Sequence, residues 1–302
     1  MGALIASPFG WGTAAFDADH DGDSDIVFIG GLDTGPLVDL SNPGTLLLND
    51  GDAGFSYDPA TFAFGAEHTR RIEHGLAIGD LDGDGFADIV TVSAADVPSQ
   101  PIGPILYPFS HGSPFDGVAA FFPTFFPGAN PGEFVFSGAQ FDQGTVAVEL
   151  SSGNGNGWVE VETLGTVGLT ASGAVNRDGI GAVVRVTPHG GETAILPVLG
   201  GSSYASQHAP AQQLGLGSAH KATVEVLWPG GVVNRLYDVR AGERVLFPEI
   251  PCSFGGGSTR AYLACVDDSL DALVGQGVLS PGDAARFRGS AARAFQEERR
   301  GH

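Results

Sequence analysis

The sequence predicts a mainly β chain: a repeated acidic part, an antiparallel β-sandwich-like domain, and a short C-terminal helical hairpin. Three observations predict it. The 302 residues include 47 Gly and 19 Pro and are 42% apolar, too rich in turn-formers for a helical bundle and too apolar for disorder. Residues 12–27 recur as 75–90, an offset of 63, and each copy runs into a β-branched segment. From residue 144 onward, strand-like stretches come in pairs around Gly-rich turns.

Charge is concentrated at the front. The net charge is −21, and residues 1–116 hold 18 Asp/Glu against two Arg. Such a field repels phosphate backbones and anionic headgroups, so no nucleic acid is expected as a partner. The longest apolar stretch, 117–126, is interrupted by Pro123 and is about half a bilayer crossing, so no membrane insertion is expected. Residues 1–10 have neither the basic nor the apolar region of a signal peptide, and an export signal is expected upstream or already removed.

Nine of the sixteen repeat positions are identical, four of them Asp. Each copy reads Asp-x-Asp-x-Asp-Gly-x-x-Asp and leads into Ile26-Val27-Phe28-Ile29 or Ile89-Val90-Thr91-Val92. Carboxylates at positions 1, 3 and 5 converge on one point and Gly at position 6 permits the sharp turn, which is how an oxygen cage for calcium is built. The candidate ligands are therefore Asp17, Asp19, Asp21, Asp23 and Asp25 in one loop and Asp80, Asp82, Asp84, Phe86 and Asp88 in the other. Position 7, Asp23 or Phe86, would contribute its backbone carbonyl, since Phe cannot ligate through its side chain. A helix–loop–helix site needs Glu at position 12, where Phe28 and Thr91 stand, so Asp25 and Asp88 are expected to close the cages. With that Asp bidentate, side chains supply five oxygens and the carbonyl a sixth, which suits calcium better than magnesium. Two Ca2+ sites are expected. The alternative, an acidic solvated turn, would leave four carboxylates repelling one another.

This pattern resembles the FG-GAP/VCBS repeat, and the stretch 44–51 with Phe55 resembles the hairpin that follows the loop in such repeats. The resemblance implies partial β-propeller blades and a calcium-stabilised scaffold. Closure takes roughly four to eight blades, while 143 residues at this offset hold two and a remnant. Upstream blades are expected to be missing from the chain, with 105–141 covering those present. Residues 96–143, rich in Pro, Gly and Phe, form an insertion or a degraded blade.

The second half reads as hairpins: 145–150 with 158–162 across the turn 153–157, 182–187 with 192–198, and 223–228 with 232–239. An antiparallel sandwich or small barrel follows. Asn176-Arg177-Asp178-Gly179-Ile180-Gly181-Ala182, Gly200-Gly201-Ser202-Ser203-Tyr204 with Ser206-Gln207, Leu214-Gly215-Leu216-Gly217, and Val224-Glu225-Val226-Leu227-Trp228-Pro229-Gly230-Gly231 resemble the ASPIC/UnbV domain. Calcium repeats followed by this domain is the layout of the cartilage acidic protein family and its bacterial relatives. Trp228 reads as a core anchor, and Arg177 with Asp178 as a local salt bridge or a partner-binding tip.

After Pro251, residues 258–274 and 280–300 read as two helices, the second opened by the Ser280 cap with Pro281 behind it. Cys252 and Cys265 are the only cysteines, and a disulfide between them would stabilise an exported protein by about 3 kcal/mol; two buried thiols are the alternative. The expected organisation is thus 1–95 two calcium repeats, 96–143 insertion, 144–250 ASPIC/UnbV-like β domain and 251–302 helical hairpin.

No catalytic residue is identified. Ala205 stands where a nucleophile elbow after Gly201-Ser202-Ser203 needs its second Gly, and the eight His show no zinc spacing. The expected function is a noncatalytic, calcium-stabilised scaffold or cell-adhesion-type binding protein. It would act outside the cell or in the periplasm or cell envelope, on a protein or glycan partner. The alternative is a secreted, metal-assisted enzyme.

Overall fold

The computed structural model describes residues 10–32, 40–51, 54–62, 71–96, 101–108, 124–127, 130–131, 133–139, 142–253 and 258–300. The first sheet has the order β1 (Gly12–Phe16), β2 (Asp25–Leu32), β3 (Leu40–Asn49), β4 (Phe55–Asp58), every neighbour antiparallel. Along β1 the alternation turns Ala14 and Phe16 inward and leaves Thr13 and Ala15 exposed, as a half-buried strand requires.

The second sheet is centred on β6 (Asp88–Asp96). One edge carries β5 (Arg71–Gly79), and along the other lie β10 (Asp142–Gln143) and β11 (Val146–Glu149). The two sheets share a core of Phe16, Val27, Ile29, Leu46, Leu76, Ile78 and Ile89. Each carries its acidic loop between its first two strands, and among the described residues the sheets do not close into a ring. Between β6 and β10 the chain makes a separate three-stranded sheet, β7 (Pro101–Pro108), β9 (Glu133–Ala139), β8 (Thr124–Pro127). The expected covering of the blades by 105–141 falls largely outside the described residues.

One expected pairing is not made. Residues 145–150 do not form a hairpin with 158–162; β11 instead pairs with β6, Val146 opposite Val92 and Glu149 opposite Ile89, completing the second repeat's sheet. A local turn normally favours sequence neighbours, but here the 153–157 turn is held elsewhere, its Asn154 and Asn156 side chains donating to the Asp19 carbonyl.

The C-terminal β unit has two sheets. In one, β12 (Gly157–Leu164) lies between β15 (Gln212–Gly217) and β18 (Glu243–Pro248), its pairing with β18 being parallel. The other is β14 (Ala194–Pro197), β13 (Val183–Pro188), β16 (Lys221–Leu227), β17 (Val233–Arg240), which contains both remaining expected hairpins. Their apolar faces merge in one core that includes Val161, Val184, Val226, Trp228, Leu236 and Phe247. Trp228 is buried and donates its Nε1–H to Asn234 at 2.7 Å, so it is a core anchor. Arg177 and Asp178 pair with each other at 2.8 Å on the surface.

The helical hairpin, α1 (Thr259–Gly275) and α2 (Pro281–Arg300), shares this same core through Val266, Leu270, Leu273, Phe287 and Phe295. Ser258 caps α1 by accepting the Ala261 N–H. Ser280 accepts from the Asp283 N–H and donates to its carboxylate. A Cys252–Cys265 disulfide, Cα atoms 6.0 Å apart, ties α1 to the strand unit. Among the described residues no helix is long and apolar enough to cross a membrane.

Candidate metal centre

The repeated sequence produces two loops that share their turn hydrogen bonds at positions 1, 3 and 5. The carboxylate at position 1 closes each by accepting from the glycine at position 6: Gly22 to Asp17 Oδ2 and Gly85 to Asp80 Oδ2, both 3.0 Å. Positions 3 and 5 each accept from the backbone N–H two residues on. These bonds are Asp21 to Asp19 at 3.2 Å and Asp23 to Asp21 at 2.9 Å, then Asp84 to Asp82 at 3.1 Å and Phe86 to Asp84 at 2.8 Å. Position 4 is left-handed in both copies, φ 58° at His20 and 85° at Gly83.

Asp25 and Asp88 are the most buried members. Asp25 takes the Ala18 N–H on one oxygen and the Asn49 N–H on the other, at 2.6 and 2.7 Å. Asp88 does the same with Leu81 and Ser151, at 2.7 and 2.9 Å. Each therefore clamps its loop to a neighbouring strand end, Asp25 at the end of β3 and Asp88 just past β11. The oxygens that approach within 4.8 Å of one another belong to Asp17, Asp19 and Asp21 in the first loop and to Asp80, Asp82 and Asp88 in the second. Asp25 is outside the first group, and Asp84 outside the second.

Electrostatically the loops differ. Asp17 Oδ1 is buried and has no hydrogen-bond partner, while Oδ2 accepts from Gly22 and from Gly215. Burial, reinforced by Asp25 and Asp21, pushes the Asp17 carboxyl up to about 7 against the pull of those two N–H groups. Burial likewise raises Asp25 to about 6, and burial with Asp21 raises Asp19. A shared cation would relieve this repulsion, and an all-oxygen donor set with an orphaned buried oxygen fits a hard divalent ion such as calcium. In the second loop Asp80 Oδ1 accepts from Gly83 at 2.7 Å, and Oδ2 accepts from Arg244 as well as Gly85.

The C-terminal β unit is built around these loops. Gly215 and Gly217 of β15 donate to Asp17 Oδ2 and the His20 carbonyl at 3.0 and 2.9 Å. His20 is fully buried, stacked on Phe86 of the other loop with ring centroids 4.1 Å apart, and held down to about 4 by burial. Alongside, Ser203, Ser206 and His208 seal the open edges of β1 and β5. They accept the backbone N–H groups of Thr13, Leu76 and Ile78 at 2.8, 3.0 and 3.3 Å. Ser202 accepts the His208 N–H at 2.8 Å, so these hydroxyls and the imidazole act as backbone partners. A cavity of about 600 Å³ remains at this joint, its walls including Phe16, Ile78, Leu196 and Gln213.

Sequence reasoning identified the Asp positions but not His20 within the first loop, nor Gly215, Arg244, Asn154 or Asn156, which meet the loops from elsewhere in the chain. The glycines at 215 and 217 within a strand were the available signal, since glycine inside a strand marks close backbone approach. No curated protein matches the chain. Residues 172–252, which contain the edge-sealing serines and the Gly215–Gly217 contact, match the family model described as ASPIC and UnbV, and this part of the chain is similar to that domain.

Proposed function

We propose that the chain is a noncatalytic, calcium-stabilised binding module of the extracellular or cell-envelope space, its acidic part being of the FG-GAP/VCBS kind. The carrying observation is Asp17, whose buried Oδ1 lacks a partner while Oδ2 takes a hydrogen bond from the ASPIC/UnbV-like segment. Asp17, Asp19 and Asp21 would hold the ion, with Asp25 keeping the loop closed. Bound calcium would neutralise the cluster and rigidify the joint between the repeats and the C-terminal unit. The Cys252–Cys265 bridge supports an oxidising compartment. Hydroxyls engaged with backbone N–H groups support a structural reading over a metal-assisted enzyme. The partner is proposed as a protein or glycan of matrix or envelope.

Thermal melting of the full chain with calcium or with chelator tests this. Binding to the native state alone stabilises by about 2.7 kcal/mol at a hundredfold excess over Kd. The parent midpoint should rise with calcium and that of Asp17→Asn should not. A parent midpoint indifferent to chelator would overturn the reading.

A further inference from the structure

The two loops are near copies in sequence, yet among the described residues a side chain from outside the repeats bonds a carboxylate only in the second; Asn154 and Asn156 reach the first loop at the Asp19 carbonyl instead. Arg244, at the start of β18, places a guanidinium nitrogen on Asp80 Oδ2. Its Nε lies 3.4 Å from Glu160 Oε1, and the guanidinium stands 5.5 Å from the centre of the Trp158 ring. Parallel pairing of β12 with β18 sets Glu160 opposite Arg244, so the register itself delivers the cation. Gly85 lies so close to the Trp158 ring that a Cβ there would stand 1.9 Å from it, so Trp158 walls this loop at position 6, whereas a Cβ at the corresponding Gly22 would meet nothing within 4 Å. The Asp80 side chain is 4% exposed and both its oxygens have partners, whereas the corresponding Asp17 retains a bare buried oxygen.

We infer that Arg244 is the resident cation of the second loop, so that the two repeats take different cations: a divalent metal ion in 17–25 and a guanidinium in 80–88. An Arg fork matches a carboxylate and stays charged at any physiological pH. A metal ion entering beside it would meet like-charge repulsion, and would have to displace hydrogen bonds to Asp80 and an ion pair to Glu160. The second calcium site expected from spacing alone is thereby closed by the C-terminal unit. The inference rests on the calcium reading of the first loop.

Calcium titration of the full chain by calorimetry tests both separately. The parent should bind one equivalent, lost in Asp17→Asn and kept with unchanged affinity in Asp80→Asn. Arg244→Gln should bind two, and Asp17→Asn with Arg244→Gln should keep one. Arg244→Lys, which retains a charge but not the fork, should bind a second ion more weakly than Arg244→Gln. If Arg244→Gln fails to fold, the Asp80→Asn result still decides. Two equivalents in the parent, a calcium equivalent lost on Asp80→Asn, or a single equivalent in folded Arg244→Gln would overturn the Arg244 assignment and leave the first site standing. No heat in the parent would overturn the calcium reading itself.

Discussion

Gly215 donates its backbone N–H to Asp17 across 198 residues of chain, at 3.0 Å. The bond joins a strand of the ASPIC/UnbV-like unit to the first carboxylate of the first acidic loop, and its closeness demands glycine. A Cβ at 215 would stand 2.3 Å from Asp17 Oδ2 and 2.4 Å from the His20 backbone. Gly215→Ala is therefore expected to push the two units apart, at a cost of about 1–3 kcal/mol typical of overpacking. It should also weaken calcium binding, whereas Gly190→Ala at an open turn should leave calcium affinity unchanged. Chemical denaturation and calcium titration of both variants check this, and equal calcium affinity in the two would refute it.

Glu249 is another buried carboxylate, and it organises a loop through backbone and hydroxyl donors. Its Oε2 accepts the Thr166 N–H at 3.0 Å, the Thr166 hydroxyl at 2.9 Å and the Val175 N–H at 3.1 Å, and both oxygens lie 3.3 Å from the Ala174 nitrogen. Charge-assisted bonds to backbone are stronger than neutral ones, which makes a buried carboxylate tolerable here. Glu249→Ala strands these donors, each costing roughly 1–3 kcal/mol if left dry. A large drop in the denaturation midpoint is expected, with Glu249→Gln intermediate because its amide oxygen still accepts. A midpoint unchanged in Glu249→Ala would show that water replaces the carboxylate.

The features legible in the sequence are those built from neighbours. Asp-x-Asp-x-Asp-Gly spacing specifies the turns of both loops, and the hairpins around Pro188 to Gly191 and Pro229 to Gly231 are closed by their own turns. Ser258 and Ser280 announce the two helices in the same local way. What could not be read depends on distant partners. β11 joins β6 across the 97–141 segment, β12 pairs in parallel with β18 from the far end of the domain, and Arg244 reaches Asp80 only because of that register. A local rule even misdirects at 153–157, where a good turn sequence carries side chains that anchor to Asp19 instead of closing a hairpin.

Tyr262 makes the C-terminal unit sensitive to alkali. Burial raises its phenol from 10.0 to about 12, Arg235 opposing slightly. The folded state thus favours the neutral form, and a group whose folded pKa is raised contributes fully below the unfolded value and loses that contribution as pH climbs through the folded one. Stability should fall between about pH 10 and 12. Tyr237, raised to about 12 by burial and by Glu297, adds to the same loss. Tyr262→Phe should flatten part of this dependence while changing little at pH 8. Identical alkaline profiles for parent and variant would count against it.

Phe287 tests whether the helical hairpin is an appendage or part of the β unit. Its ring is 2% exposed and meets Phe247 of β18 edge-on, ring centroids 5.1 Å apart, while Phe247 in turn lies against Trp228. Ser290, one turn further along α2, accepts the Tyr237 N–H from β17 at 3.2 Å, so helix and sheet are bonded as well as packed. An appended hairpin would melt on its own, because two isolated helices of this length are marginal in water. With one shared core, helix and sheet should unfold together. Phe287→Ala removes a buried ring and should cost about 3–5 kcal/mol. The helical circular dichroism signal and the fluorescence of Trp158 and Trp228 should shift to lower denaturant by the same amount, in coincident transitions. Loss of the helical signal ahead of an unmoved tryptophan transition would make the hairpin a separate unit.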